Sequence, residues 1–435
     1  MWIFGTLWET YHMNREGRLR VAYVGPVPIP GGGAAGAAWL VVQGLAAQGC
    51  EIDCFLTAIP GEVPAELHAL SGVRIVHLDT GWRWDRWYSN NRVSQVLTGN
   101  LANAVGRRRL SRKIVSFHEE RPYDVLYQFS TIEVFGLRRL LDRLPPLVIH
   151  PSTHMAGELS WFRAERQLAR RCEPWHRLLL VEAILAYRAH RQRRDIHLAA
   201  HVIAISRTFG DALVRDYGIN PAIVTVVPNP INLQVFSPKH ADLSDRKLQI
   251  GCVSRISARK GIELIIELSD RLADRAEDVE LQLVGAHTLW SDYRPLIMEL
   301  NPSVAHYRGP LPHSELPDFF SGLEVLVHAA KYEPFGLTVA EALACGTPVV
   351  ATDQVGAAEG VDSDCCPVVP ISDIDALERA VRAMLDVMDS IRGNGIRTTA
   401  RLEAERLFSP DRVAADIAKV LVMSSKVPQR ITGGK

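Results

Sequence analysis

The segment Tyr332-Glu333-Pro334-Phe335-Gly336-Leu337-Thr338-Val339-Ala340-Glu341-Ala342-Leu343-Ala344-Cys345-Gly346-Thr347-Pro348-Val349-Val350 sets the architecture of the chain. Apolar residues from Val325 to His328, just before it, read as a strand, and Pro334 and Gly336 supply a turn. A short helix is expected from about Leu337 to Ala344, stopped by Gly346 and Pro348, with the next strand over 348–351. Strand, turn, helix and strand in this order make one unit of a parallel α/β sheet. The helix would begin just past Gly336, where free N–H groups and the helix dipole favour an anion. Glu333 in the turn and Glu341 on the helix repel phosphate but accept hydrogen bonds from hydroxyls. The pairing suggests a ligand with both phosphates and hydroxyls, such as a nucleotide sugar.

Working outward, 435 residues suit at least two domains, and 47% apolar content supports full-sized cores. The apolar run from Leu178 to Tyr187 is broken by Glu182 and is too short to span a bilayer. The opening residues show no secretory leader. Seven cysteines without framework spacing fit a reducing compartment, so the cytoplasm is expected. Net charge is zero overall but uneven. Residues 1–240 hold 28 Lys and Arg against 20 Asp and Glu; residues 241–435 hold 21 against 29. A basic half could face an anionic membrane or an anionic acceptor. Nothing resembles a nucleic-acid-binding module, so no nucleic-acid partner is expected.

Residues 1–18 read as an extension. A first strand over 19–24 leads into Gly25-Pro26-Val27-Pro28-Ile29-Pro30-Gly31-Gly32-Gly33 and a helix ending near Gly49. Gly31, Gly33 and Gly36 match G-x-G-x-x-G, and Asp53 lies 17 residues beyond Gly36. That is the outline of a dinucleotide fingerprint and of a nicotinamide-dependent oxidoreductase. The three prolines argue against it, because the fingerprint needs the strand to run straight into its first glycine. Further strands are expected over 52–56, 73–78, 123–129, 147–150 and 201–206. His150 and His154 stand at the end of the fifth, where an open α/β sheet has its crevice. Residues 158–197 read as basic helices, with nine arginines from Arg163 to Arg194. Arginines and Trp82, Trp84, Trp87, Trp161 and Trp175 are mixed across 81–113 and 158–197, a combination suited to an anionic membrane surface.

A polar linker over 237–246 is followed by a second α/β pattern, beginning with a strand at 248–253. Arg255 and Lys260 fall on the loop between that strand and the next helix, where cations can reach phosphates. Taken alone, they read better as solvated loop charges. Asp362-Ser363-Asp364 and Asp373-Ile374-Asp375 have the form of a metal-binding aspartate pair, but one lies in an acidic loop and the other opens a helix. No metal site is expected.

Glu-Pro-Phe-Gly with a second glutamate after seven residues resembles the motif of the retaining GT-B glycosyltransferases of family 4, glycosyltransferase group 1. The resemblance covers about residues 20–425 and rests on four ordered elements: Gly32-Gly33, His150, Arg255 with Lys260, and Glu333 with Glu341. It implies two doubly wound α/β domains facing across a cleft. The first, 19–236, would take the acceptor; the second, 247–408, the donor; residues 409–435 would return to the first as a helix and tail. It implies retaining, metal-independent hexosyl transfer from a nucleoside diphosphate sugar to a glycan, lipid-linked or small-molecule acceptor. No cofactor beyond that co-substrate is implied.

The resemblance also assigns roles. Arg255 and Lys260 would clamp the diphosphate. Gly32, Gly33, Phe335, Gly336 and Leu337 would approach the donor, and Glu341 would take the ribose hydroxyls. Glu333 would orient the sugar. The loop with Gly309 and Leu311 would hold the base. A histidine facing the sugar and acceptor matches His150 best, with His154 on the acceptor side as the next candidate. The family's Pro-Asn-Gly-Val-Asp appears here as Pro228-Asn229-Pro230-Ile231-Asn232, a departure confined to a turn. A binding-only member of the same fold stays open as an alternative.

Overall fold

The computed structural model describes residues 18–56, 63–78, 109–134, 138, 140–239, 246–286, 293–390 and 393–427. Trp82, Trp84, Trp87, Arg107 and Arg108 lie outside the described residues, as does most of 1–18 and of the expected linker.

Two parallel sheets carry the fold. The first joins β1 (Arg20–Val24), β2 (Glu51–Leu56), β3 (Val73–His77), β4 (Val125–Ser130), β5 (Leu147–Pro151), β6 (His201–Ala204) and β7 (Val224–Val226) in the order β3-β2-β1-β4-β5-β6-β7. The second joins β8 (Leu248–Val253), β9 (Val279–Val284), β10 (Ala305–Gly309), β11 (Val325–His328), β12 (Val349–Thr352) and β13 (Val368–Val369) in the order β10-β9-β8-β11-β12-β13. In each, the strand order reverses beside the first strand. Ligands of open α/β sheets bind at that reversal, beyond the carboxyl ends of the strands.

Alternation along the strands explains why both faces are covered. Val21, Tyr23, Val125, Tyr127 and Val148 point to one face, where the Gly33–Ala47 and Pro410–Ser425 helices pack. Val413, Ile417 and Leu421 of the last helix are buried there with Val41, Val42 and Leu45. Each such side chain contributes roughly 1.5–3 kcal/mol. The opposite residues, Ala22, Leu126, Leu147 and Ile149, join a core continuous with Leu326, Val349 and Phe335 of the second sheet. The far face of the second sheet packs on the Ile262–Arg271 and Ile374–Met388 helices.

The basic region between β5 and β6 forms three helices, Met155–Ala164, Arg166–Cys172 and Trp175–Asp195. Ala169 and Leu178 from this region are buried in the core of the second sheet. Ser206 ends no strand. It caps the Arg207–Tyr217 helix, accepting from Phe209 N at 3.1 Å, and its hydroxyl donates to the Pro334 carbonyl at 2.8 Å. Glu359 reaches across to accept from Arg207 N and Thr208 N of the same helix, at 2.7 and 2.8 Å. The turn holding Glu333 is thus pinned between the sheets.

Candidate active site

The turn after β11 is built as its composition dictates. Gly336 has φ 97°, in the left-handed region, and opens the Leu337–Ala344 helix. Val339 N and Ala340 N close back on the Gly336 carbonyl, leaving the N–H groups of Leu337 and Thr338 without helical acceptors. The Glu333 backbone is held on both sides: its N–H donates to Gln354 O, and its carbonyl accepts from Gly356 N, each at 3.2 Å. The Phe335 ring turns into the core against Phe408.

Tertiary packing then brings the loop cations to this turn. Lys260 Nζ meets the Glu333 carboxylate directly, with the Lys260 side chain only 9% exposed. Burial pushes the Lys260 pKa well down, and nearby Arg259 and Arg255 add to that. The touching carboxylate opposes the shift by favouring the ammonium form. Arg255 stands exposed at the cleft. Crowding by surrounding protein and then Arg259 hold its pKa below the arginine range. Among the described residues no carboxylate lies within ion-pair distance of Arg255. Arg259 is used structurally: it pairs with Glu158 at 3.1 Å and donates to the Tyr332 carbonyl at 2.9 Å.

Across the cleft the glycine loop meets the second sheet. Gly31, Gly32, Gly33 and Gly36 line a cavity of about 30 Å³ together with Leu337 and Glu341. Gly36 is required there, because a Cβ would stand 1.8 Å from the Gly31 carbonyl oxygen. A Cβ on Gly32 would stand 2.5 Å from the His313 ring. His313 Nε2 in turn lies 3.5 Å from Glu341 Oε1, and its ring packs edge-on to Phe236. Glu341 is buried. Gly309 ends β10 with φ 74°, its carbonyl accepting from Gly285 N, and Leu311 is half-buried behind it.

The two histidines take different positions. Strand β5 runs through Pro151, so His150 lies within the strand rather than past it. It is fully buried, with Nδ1 2.7 Å from the Tyr127 hydroxyl and its ring edge-on to Phe129. Burial pushes its pKa down to about 3, so it is neutral, and Nε2 has no partner among the described residues. His154 is also buried, its Nε2 2.7 Å from Asp216 and its Nδ1 hydrogen-bonded to the Tyr332 hydroxyl. Burial would raise the Asp216 pKa, but the bonds from His154 and Arg215 outweigh it and hold the carboxyl below its usual range. His154 therefore couples the helix after β5 to the residue beside Glu333.

The competing motifs have structural employment. Asp53 is buried, hydrogen-bonded at 2.8 Å to Arg74 and in contact with the Tyr123 hydroxyl, so it is not free to take a ribose. Asp373 caps the Ile374–Met388 helix by accepting from Ala376 N at 2.9 Å. Asp362 accepts from Asp364 N at 2.9 Å.

The sequence reading passed over three neighbours. His328 ends β11 buried, 3.9 Å from Glu333, with its pKa pushed to about 3 by burial and then by Lys260. The signal that singled out His150, a histidine at a strand's carboxyl end, applies equally to His328. Tyr332 and His313 carried no such signal, since their roles depend on contacts across the cleft.

Residues 31–235 match the model described as Glycosyltransferase Family 4, and residues 236–390 match Glycosyl transferases group 1. An MMP alpha-(1->4)-mannosyltransferase of Mycolicibacterium hassiacum is 29% identical over 57% of this chain and 59% of its own length. A D-inositol 3-phosphate glycosyltransferase of Xylanimonas cellulosilytica is 24% identical over 93% of this chain and 95% of its own. Sucrose-phosphate synthase of Thermosynechococcus elongatus superposes with a TM-score of 0.66 at 20% identity, covering 93% of this chain and 99% of its own. Anabaena HepE, solved in complex with UDP, gives 0.63 at 20% identity over 93% and 100%. Two adjoining family models and one shared two-sheet architecture agree: the chain belongs to the group 1, family 4 glycosyltransferases and has the GT-B fold.

Proposed function

We propose that the protein transfers a hexose from a nucleoside diphosphate sugar to an acceptor hydroxyl, with retention at the anomeric carbon and without a metal ion. The observation that carries this reading is the convergence of Lys260, Glu333 and the Leu337–Ala344 helix start on one turn, opposite the glycine loop. The chemistry needs a leaving diphosphate to be stabilised. Arg255, Lys260 and the N–H groups of Leu337 and Thr338 suit that task. On this reading a diphosphate displaces Glu333 from Lys260 and frees its carboxylate for the sugar's hydroxyls. Glu341 takes the ribose hydroxyls, and the Gly309–Leu311 loop holds the base. His150, neutral and with no partner for Nε2 among the described residues, meets the transferred sugar, and His154 acts through Tyr332. The departing phosphate itself receives the acceptor's proton.

HepE has also been solved with UDP-glucose, which supports a nucleoside diphosphate hexose as donor. All seven cysteines are unbridged, which supports a reducing, cytoplasmic setting. The acceptor is a glycan, a lipid-linked molecule or a small molecule, met in part at an anionic membrane surface. A thermal-shift panel of UDP-, GDP- and ADP-hexoses tests the donor. A ligand at 100 times its dissociation constant adds about 2.7 kcal/mol of stability, so one family of nucleotides should raise the melting temperature clearly. A flat response to every nucleotide sugar would remove the proposal.

A further inference from the structure

The Trp175–Asp195 helix is apolar on two sides. On one, Val181, Ile184 and Leu185 face Trp161, Phe162 and Tyr293 across a cavity of about 320 Å³. That volume is at the lower end for small-molecule pockets. The cavity lies between this helix and the loop after β8, and Arg255 and Arg259 line it as well. Arg259 is already paired with Glu158, whereas Arg255 has no carboxylate partner among the described residues. Glu165, also lining the cavity, is buried and keeps its Oε2 without a hydrogen-bond partner among the described residues. A chamber walled on one side by apolar side chains and on the other by Glu165, Arg188, Arg255 and Arg259, with one carboxylate oxygen unused among the described residues, suits an amphiphile.

We infer that this cavity receives the apolar chain of the acceptor, an alkyl or prenyl group carrying the hydroxylated head that is glycosylated. The inference rests on the glycosyltransferase reading, in which Arg255 holds the donor's diphosphate; a chain lodged here then lies beside the transferred sugar. Glu165 Oε2 accepts a hydrogen bond from a hydroxyl of the head.

Hexyl, octyl and decyl β-glucosides, below their micelle concentrations, serve as probes, with binding read by calorimetry. Each added pair of methylenes should tighten binding by roughly tenfold until the cavity is full. Ile184→Trp and Leu185→Trp fill the cavity and should abolish the chain-length dependence. Leu179→Asp and Tyr187→Asp, on the outer side of the helix, should leave it unchanged. The melting shift produced by nucleotide sugars is measured on every variant and should persist, which shows that each one folds. Binding independent of chain length in the wild-type protein overturns the inference. So does a chain-length dependence that survives both tryptophan variants, or one lost only in the outer pair, which would assign the apolar contact to the surface. A chain-length dependence without any nucleotide-sugar shift supports the cavity and overturns the donor reading alone.

Discussion

At the residue scale, the site is a small set of charges whose meaning depends on contact. Lys260 is buried against Glu333, and Arg255 stands exposed at the cleft with no carboxylate partner among the described residues. If both stabilise a developing diphosphate, Arg255→Ala or Lys260→Ala should lower turnover by roughly 10²–10³-fold, the cost of losing one charge-stabilising donor. Steady-state kinetics on the purified variants measures this, and near-normal activity in both would falsify the clamp. The same cations can do what a divalent ion does elsewhere, so activity should survive excess EDTA. Turnover abolished by chelation and restored by Mg²⁺ or Mn²⁺ would replace the mechanism.

At the element scale, the glycine loop closes back on its own helix, Ile29 N donating to the Ala35 carbonyl at 3.4 Å. Replacing a helical glycine by alanine ordinarily stabilises a protein by about 1 kcal/mol. Gly395, in the Gly393–Phe408 helix, has open space around its Cβ position and should follow that rule. Gly36 should do the reverse, because its Cβ would press on a backbone carbonyl that cannot turn away. Thermal denaturation should therefore show Gly395→Ala raising the melting temperature and Gly36→Ala lowering it. Gly36→Ala should also shrink the nucleotide-induced shift. A neutral or stabilising Gly36→Ala would mean the loop is free to move.

At the scale of the whole molecule, buried histidines link stability to pH. Burial pushes His150 and His328 down to about 3, whereas unfolded histidine titrates near 6.5. Between those values the unfolded chain binds more protons. Stability is then complete above pH 6.5 and declines as pH falls toward 3, by up to about 1.4 kcal/mol per pH unit for each histidine. Denaturant unfolding across this window should show the slope, and His150→Gln and His328→Gln should each flatten it. An acid limb equally steep in both variants would place the effect elsewhere. The outer side of the Trp175–Asp195 helix is a second whole-molecule feature. Trp175 is 68% and Tyr187 61% exposed, with Leu179 and Leu180 beside them and exposed Arg170, Arg171 and Arg177 nearby. Among the described residues no helix is long and apolar enough to cross a membrane. Such a face should co-sediment with anionic vesicles, more weakly as salt rises, and hardly with neutral ones. Indifference to anionic vesicles at low salt would point to an acceptor met in solution.

What the amino-acid sequence determined by itself is whatever depends on near neighbours in the chain. Alternating and continuous apolar runs specified strands such as β8 and β11, and Gly218, with φ 69°, ends its helix as a glycine there must. Glu333, Gly336 and Glu341 were legible as a turn and helix start because they share one stretch of backbone. Tertiary structure alone decided which charges meet. Lys260 reaches Glu333 because β8 and β11 are neighbours in the second sheet, and His154 reaches Tyr332 and Gly32 abuts His313 only because the two sheets pack together. It also decided that the basic helices after β5, whose arginines and tryptophans suggested an anionic membrane surface, bury Ala169 and Leu178 in the core of the second sheet. The physical reason is range. Helix, strand and turn preferences arise from interactions a few residues apart, whereas contacts across a cleft depend on how every intervening element packs.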